Sequence, residues 1–118
     1  MPRTNPEIRV RLRIDVDHEA AIGPGKIALL EAIAETGSIS AAARKLEMSY
    51  RRAWLLVEDI NGRMRAPAVT RAKGGTRGGA SDLTETGRKL VELYRKLEKA
   101  TYAHAARDIR TLATLFSV

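Results

Sequence analysis

Ser38-Ile39-Ser40-Ala41-Ala42-Ala43-Arg44-Lys45-Leu46-Glu47-Met48-Ser49-Tyr50-Arg51-Arg52-Ala53-Trp54 is the stretch on which the fold turns. Ser38 or Ser40 supplies an N-cap for a short helix running to about Leu46, because a serine hydroxyl can accept one of the free N–H groups of a helix start. Three alanines make that helix narrow, so a neighbour can approach closely. Glu47-Met48 reads as a tight turn. Ser49 then caps a longer helix from Tyr50 to about Arg63, with Ala53, Trp54, Leu56, Val57 and Ile60 recurring at helical intervals. A short capped helix, a brief turn and a longer helix opening on Ser-Tyr-Arg-Arg is the pattern of a helix-turn-helix, here over about residues 40–63.

Upstream, Ile8, Val10, Leu12, Ile14 and Val16 alternate with charged residues from Glu7 to Asp17. That period of two predicts one half-buried strand, with no partner identifiable in the sequence. Gly23-Pro24-Gly25 breaks the chain. A first helix follows from near Pro24 or Lys26, with Ile27, Leu29, Leu30, Ile33 and Ala34 on one face and Gly37 as its stop.

Downstream of Pro67 the character changes again. Ala68–Ala72 and Ser81–Thr84 read as two short strands around the basic, glycine-rich loop from Lys73 to Ala80. Thr84 opens a run of roughly 30 residues with Leu90, Leu93, Tyr94 and Leu97 on one face and apolar residues continuing to Phe116. A bend near Lys99–Ala103 is an alternative to one continuous helix. So long a helix invites a partner helix.

The whole chain, 1–118, therefore reads as one mainly α domain with a small β component. It is a winged helix-turn-helix: N-terminal strand and linker 1–22, three helices 23–66, wing 67–84, and a long C-terminal dimerisation helix 85–118.

Composition narrows the function. The 118 residues contain no cysteine, which excludes a disulfide scaffold and any cysteine-ligated metal. Aromatic residues make up 4%, so the core must rest on aliphatic side chains. No signal-like run and no apolar stretch of roughly 20 residues is present, so a cytoplasmic protein without membrane contact is expected. His18 and His104 lack spaced metal partners, and Asp108, four residues after His104, reads as a local pair. No catalytic constellation and no cofactor motif emerges, so an enzyme is not expected. The loop after Lys73 lacks the G-x-x-x-x-G-K-[ST] order of a nucleotide-binding loop.

The net charge of +7 is unevenly placed. Residues 1–37 carry five Lys/Arg against six Asp/Glu, and residues 81–118 seven against five. Residues 38–80 carry nine against three, and seven of those nine are arginine. A localised arginine-rich face is the footprint of a polyanion, although a solvated surface kept for solubility also fits.

In a helix-turn-helix the second helix presents its first residues to the major groove. Tyr50, Arg51 and Arg52 hold that place, and arginine can bond guanine O6 and N7 together. Ser38, Ser40 and Ser49 stand at helix starts where free N–H groups can meet a phosphate, or serve only as caps. Arg71, Lys73, Thr76 and Arg77 on the wing can reach backbone phosphates or the minor groove. Arg51 and Arg52 can instead be simply solvated, Trp54 can be a core residue, and Arg63 and Arg65 can answer the negative end of their helix.

Thr36-Gly37-Ser38-Ile39-Ser40-Ala41-Ala42-Ala43, Ser49-Tyr50-Arg51-Arg52-Ala53-Trp54 and Val69-Thr70-Arg71-Ala72-Lys73-Gly74-Gly75, followed by Gly78-Gly79-Ala80, Leu83-Thr84 and Gly87, resemble the N-terminal DNA-binding domain of the molybdate-responsive ModE-type regulators. More distantly they resemble that of the LysR-type regulators. The resemblance implies a homodimer on double-stranded DNA, formed through the long C-terminal helix. The residues expected at the dimer interface are Ile27, Leu30, Leu90, Leu93, Tyr94, Leu97, Ile109 and Leu112. ModE-type regulators carry a C-terminal oxyanion-binding region, and nothing up to Val118 looks like one, so molybdate sensing is not carried over. A sensorless relative, a regulator with a separate sensor protein and a shortened chain all fit that ending. A protein-interaction module and a nonspecific chromatin-like DNA binder on the same scaffold are the rival readings.

Overall fold

The computed structural model describes residues 6–71 and 80–117, with the side chain of Arg71 outside that set. Its elements are β1 (Ile14–Val16), β2 (Glu19–Ile22), α1 (Pro24–Thr36), α2 (Ile39–Lys45), α3 (Tyr50–Arg63), β3 (Val69–Arg71), β4 (Ser81–Leu83) and α4 (Glu85–Ala113). The two strand pairs are separate antiparallel hairpins.

Capping residues set the helix limits. Pro24 opens α1, and Gly37 closes it in the left-handed region at φ +81°, where its N–H reaches the Ile33 carbonyl at 2.8 Å. Ser38 and Ser49 cap α2 and α3 by accepting from the Ala41 and Arg52 amides at 3.0 and 3.1 Å. Thr84 does the same for α4 through the Gly87 amide at 3.0 Å. Ser40, the other candidate cap, lies within α2 and accepts from Arg44.

Helix α1 is the centre of the molecule. Ile27, Leu29, Leu30, Ala32 and Ile33 are all buried, so apolar contact surrounds it rather than covering a single face. It touches α2 and α3 on one side and β4 and α4 on the other. Ala42, Ala53, Val57, Ile60, Ala68 and Tyr94 complete this core. The expectation that Ile27 and Leu30 meet a second copy is therefore corrected. Both are 0% exposed within one protomer and have no surface left to offer. Tyr94 is corrected likewise: its ring is buried, and its hydroxyl donates to the Leu12 carbonyl at 2.7 Å. Burial in that apolar setting pushes the phenol's pKa up.

The N-terminal strand is shorter than its alternation suggests. Only Ile14–Val16 pairs, and its partner is β2, joined through the two-residue turn Asp17-His18 with φ of +50° and +69°. The register slips between Ile14 and Asp15, which leaves Ala21 as an extra residue on β2. That bulge turns two consecutive residues, Ala21 and Ile22, into the core. Residues 6–13 are extended without a partner strand. They run along α4, where the Tyr102 hydroxyl accepts from the Val10 N–H at 2.7 Å and donates to the Val10 carbonyl at 3.0 Å.

Helix α4 runs unbroken through Lys99–Ala103, so the chain has one continuous helix there. Beyond Tyr94 its only buried residue is Ala113, and the molecule measures 56 × 34 × 22 Å. The far half of α4 thus stands clear of the core. Among the described residues, no helix is long and apolar enough to cross a membrane.

Candidate nucleic-acid interface

The turn between α2 and α3 is built by main-chain bonds. Met48 N–H reaches the Ala43 carbonyl at 3.0 Å and Glu47 N–H the Arg44 carbonyl at 3.2 Å. This is a Schellman closure with Glu47, at φ +56°, in the position usually given to glycine. The chain therefore turns sharply enough to set Ser49 at the start of α3.

Helix α3 buries Ala53, Val57 and Ile60, which fixes its rotation against α1 and α2. Its opposite side is then the outward one. Tyr50 is 54% exposed, and Arg51 and Arg52 are exposed without an ion pair among the described residues. Arg63, at the other end of the same helix, is bonded to Asp59 at 3.0 Å and to Glu19 at 3.5 Å. The hydrogen bond to the Asp59 carboxylate pushes the pKa of the Arg63 guanidinium up. Arg63 is thus tied into the domain, whereas Arg51 and Arg52 make no such pair among the described residues. Trp54 is half-buried.

Sequence reasoning missed Leu55. It is 47% exposed on the outward side of α3, one turn after Arg51. The available signal is that Leu55 is the apolar residue falling off the stripe of Ala53, Val57 and Ile60.

Sequence reasoning also missed Asn61, which positions the wing. Its side-chain oxygen accepts from the Ala68 and Val69 amides at 2.8 and 3.1 Å, and its nitrogen donates to the Val69 carbonyl at 3.1 Å. The other strand is fixed through the buried Ser81, whose N–H reaches the Gly37 carbonyl at 2.8 Å. Thr84 donates from its hydroxyl to the Pro67 carbonyl at 2.7 Å. Gly87 is required where α4 crosses this base, because a Cβ there would overlap the Ala68 carbonyl oxygen. Val69 pairs with Leu83 and Arg71 with Ser81, and Asn61 ties the start of β3 to the last turn of α3. Lys73, Thr76 and Arg77 lie outside the described residues, as does the side chain of Arg71.

Ser38 is a half-buried cap, and Ser40 and Ser49 are exposed. On α4, Leu93 and Leu97 are about half exposed, Leu112 is exposed, Ile109 is half-buried, and Leu90 packs partly on the core. His104 and Asp108 make no ion pair among the described residues. Among those residues, too, no three His, Cys, Asp or Glu side chains gather as metal ligands.

A short capped helix, a tight turn, an outward-facing helix and a hairpin anchored beside it define a winged helix-turn-helix domain. The family model of bacterial regulatory helix-turn-helix proteins of the lysR family matches residues 25–88, and the chain belongs to that family. Over 88 residues the chain is 41% identical to the molybdenum transport protein ModE of Azotobacter vinelandii, covering 75% of this chain and 33% of that protein. It is 48% identical over 79 residues to the molybdenum-pterin-binding protein MopB of Rhodobacter capsulatus, covering 67% and 29%. The DNA-binding transcriptional dual regulator ModE of Escherichia coli K12 is 34% identical over 88 residues, covering 75% and 34%. The chain thus spans about a third of the length of these curated relatives.

Proposed function

We propose that the protein binds double-stranded DNA as a homodimer and regulates transcription. The observation that carries this reading is the start of α3. Tyr50, Arg51 and Arg52 stand exposed, the two arginines without an ion pair among the described residues, on a helix whose far side is locked into the core. In the major groove Arg51 bonds the O6 and N7 of a guanine, and Leu55 meets the C5 methyl of a thymine. The hydroxyl of Ser49 is free to donate to a phosphate while its oxygen caps the helix. Arg71, Lys73, Thr76 and Arg77 of the wing take the backbone or minor groove. The second copy packs on α4 through Leu93, Leu97 and Leu112, with Leu90 and Ile109 at the margin. Support for the dimer is the length of α4 that one protomer leaves uncovered. The molybdenum in two of the relatives' names belongs to proteins of which the match covers only 33% and 29%, and no molybdate site is assigned to this chain.

Selection of bound genomic fragments yields the preferred site, and titration of that site against R51A tests the reading. R51A is expected to lose about 1–3 kcal/mol on the preferred site and little on unrelated DNA. An R51A variant with undiminished site preference removes α3 as the reading helix.

A further inference from the structure

Arg51 and Arg52 leave α3 in different directions, because neighbours on a helix are rotated by about 100°. Arg51 shares the outward side with Leu55. Arg52 shares its flank with the half-buried Leu56 and turns toward the N-terminal segment. There it rims a groove of about 430 Å3 together with Arg11 and Arg13. Leu12, Met48 and Leu56 line the same groove. Arg11 and Arg52 make no ion pair among the described residues. Arg13 is held by Asp15 through two bonds of 3.0 and 3.2 Å and is 69% exposed at its side chain.

With Arg13 answered by Asp15, the charges of Arg11 and Arg52 stand without a carboxylate partner among the described residues, and they raise the positive potential of the groove they line, which draws anions. The place of the groove says which anion. A helix with its side chains is about as wide as the major groove it enters, so its flanks meet the sugar-phosphate strands rather than the base edges. Arg52 stands on such a flank, and Arg11 and Arg13 continue it away from the reading side.

We propose that Arg11, Arg13 and Arg52 form a second phosphate-binding surface, which grips the DNA strand bordering the groove that α3 reads. This rests on the DNA-binding reading above and deepens it. The N-terminal segment then belongs to the DNA footprint, on the flank of α3 that carries Arg52. Arg13 is the reserve member, since Asp15 competes with phosphate for it.

Salt dependence measures the surface directly. Each neutralised phosphate contributes about 0.9 to the slope of log affinity against log salt, which is about a 3.5-fold change of affinity between 50 and 200 mM. The full chain is titrated with a mixed-sequence duplex of about 25 base pairs over that range. R11A and R52A are each expected to flatten the slope by about 0.9 for every phosphate no longer neutralised, and R11K to restore most of it. D15N, which releases Arg13, is expected to steepen the slope by a similar amount. K99A, an exposed cation on α4 outside this surface, is expected to leave it unchanged. Thermal melts confirm that each variant is folded. Slopes in R11A and R52A equal to wild type overturn this surface and leave the DNA-binding reading standing. Absence of binding by the wild-type chain even at low salt overturns both.

Discussion

Two hairpins flank the last turns of α3, and opposite kinds of chemistry hold them there. The β3–β4 wing is held by neutral main-chain and amide bonds around Asn61, Thr84, Ser81 and the close approach at Gly87. The β1–β2 hairpin is held by charge. Lys26 donates to the bulged Ala21 carbonyl at 2.9 Å and pairs with Asp59, which also binds Arg63, which reaches Glu19. Neither hairpin has more than four residues in a strand, and two strands that short do not stand alone in water. Both depend on α3, but one anchor is half-buried and geometric, while the other is electrostatic and partly open to solvent. The first should fail abruptly when altered, and the second by degrees.

Gly87→Ala is the strongest way to break the wing. The added methyl must displace the Ala68 main chain, and a loss of about 3 kcal/mol in stability is expected from chemical denaturation. Asn61→Ala follows, at about 2 kcal/mol, because the Ala68 and Val69 amides lose their acceptor at a buried strand start. Asn61→Asp sharpens the point: it keeps the acceptor for both amides but sets a carboxylate oxygen against the Val69 carbonyl, so it should destabilise at neutral pH and less so once the carboxyl is protonated and can donate.

Asp59→Asn probes the charged anchor, and its effect at neutral pH is expected to stay below about 1 kcal/mol, shrinking further in high salt. The hydrogen bond from Lys26, with help from Arg63, holds the Asp59 carboxyl below the usual carboxylate range against partial desolvation. The stability it brings is therefore complete above the unfolded carboxylate value, near about pH 4, and is lost as pH falls through the lower folded value. Wild type should weaken across that acid window and D59N should weaken less. Equal acid limbs would show that this cluster adds nothing to the hairpin. Smallest is His18→Gly, expected to stabilise by about 0.5 kcal/mol, since glycine adopts φ +69° without the steric cost that histidine bears.

The same contrast explains what could be read from the residues alone. Ser38, Ser49, Thr84 and Gly37 act on their own neighbours in sequence, so the starts of α1 to α4 were legible to within a residue or two, whereas α4 ends at Ala113, short of the expected 118. The wing announced itself through its glycines. β2 was hidden because its bulge places Ala21 and Ile22 in the core side by side, which erases the alternation that marks a strand. The turn before it, Asp17-His18, carries no glycine to flag it. Ile27 and Leu30 were misplaced because an apolar stripe does not say whether the rest of its helix is also covered. Leu55 was visible only as an apolar residue off the buried stripe, and Asn61 acts on Ala68 and Val69, seven and eight residues on, a spacing that neither helix nor strand periodicity marks. The arginines at the start of α3 were legible as a pair, but their division between outward side and flank depends on how α3 is rotated against the core.

The two tyrosines of α4 take hold of the N-terminal segment by its peptide groups alone. Tyr102 bonds both polar atoms of Val10, and Tyr94 bonds the carbonyl of Leu12. Such a clasp is blind to the identity of Arg9, Arg11 and Arg13. Those three positions can accumulate or shed charge over generations while the ribbon they sit on stays seated. In the DNA complex proposed above, that would make the ribbon a small adjustable register of affinity, separate from the residues assigned to the bases.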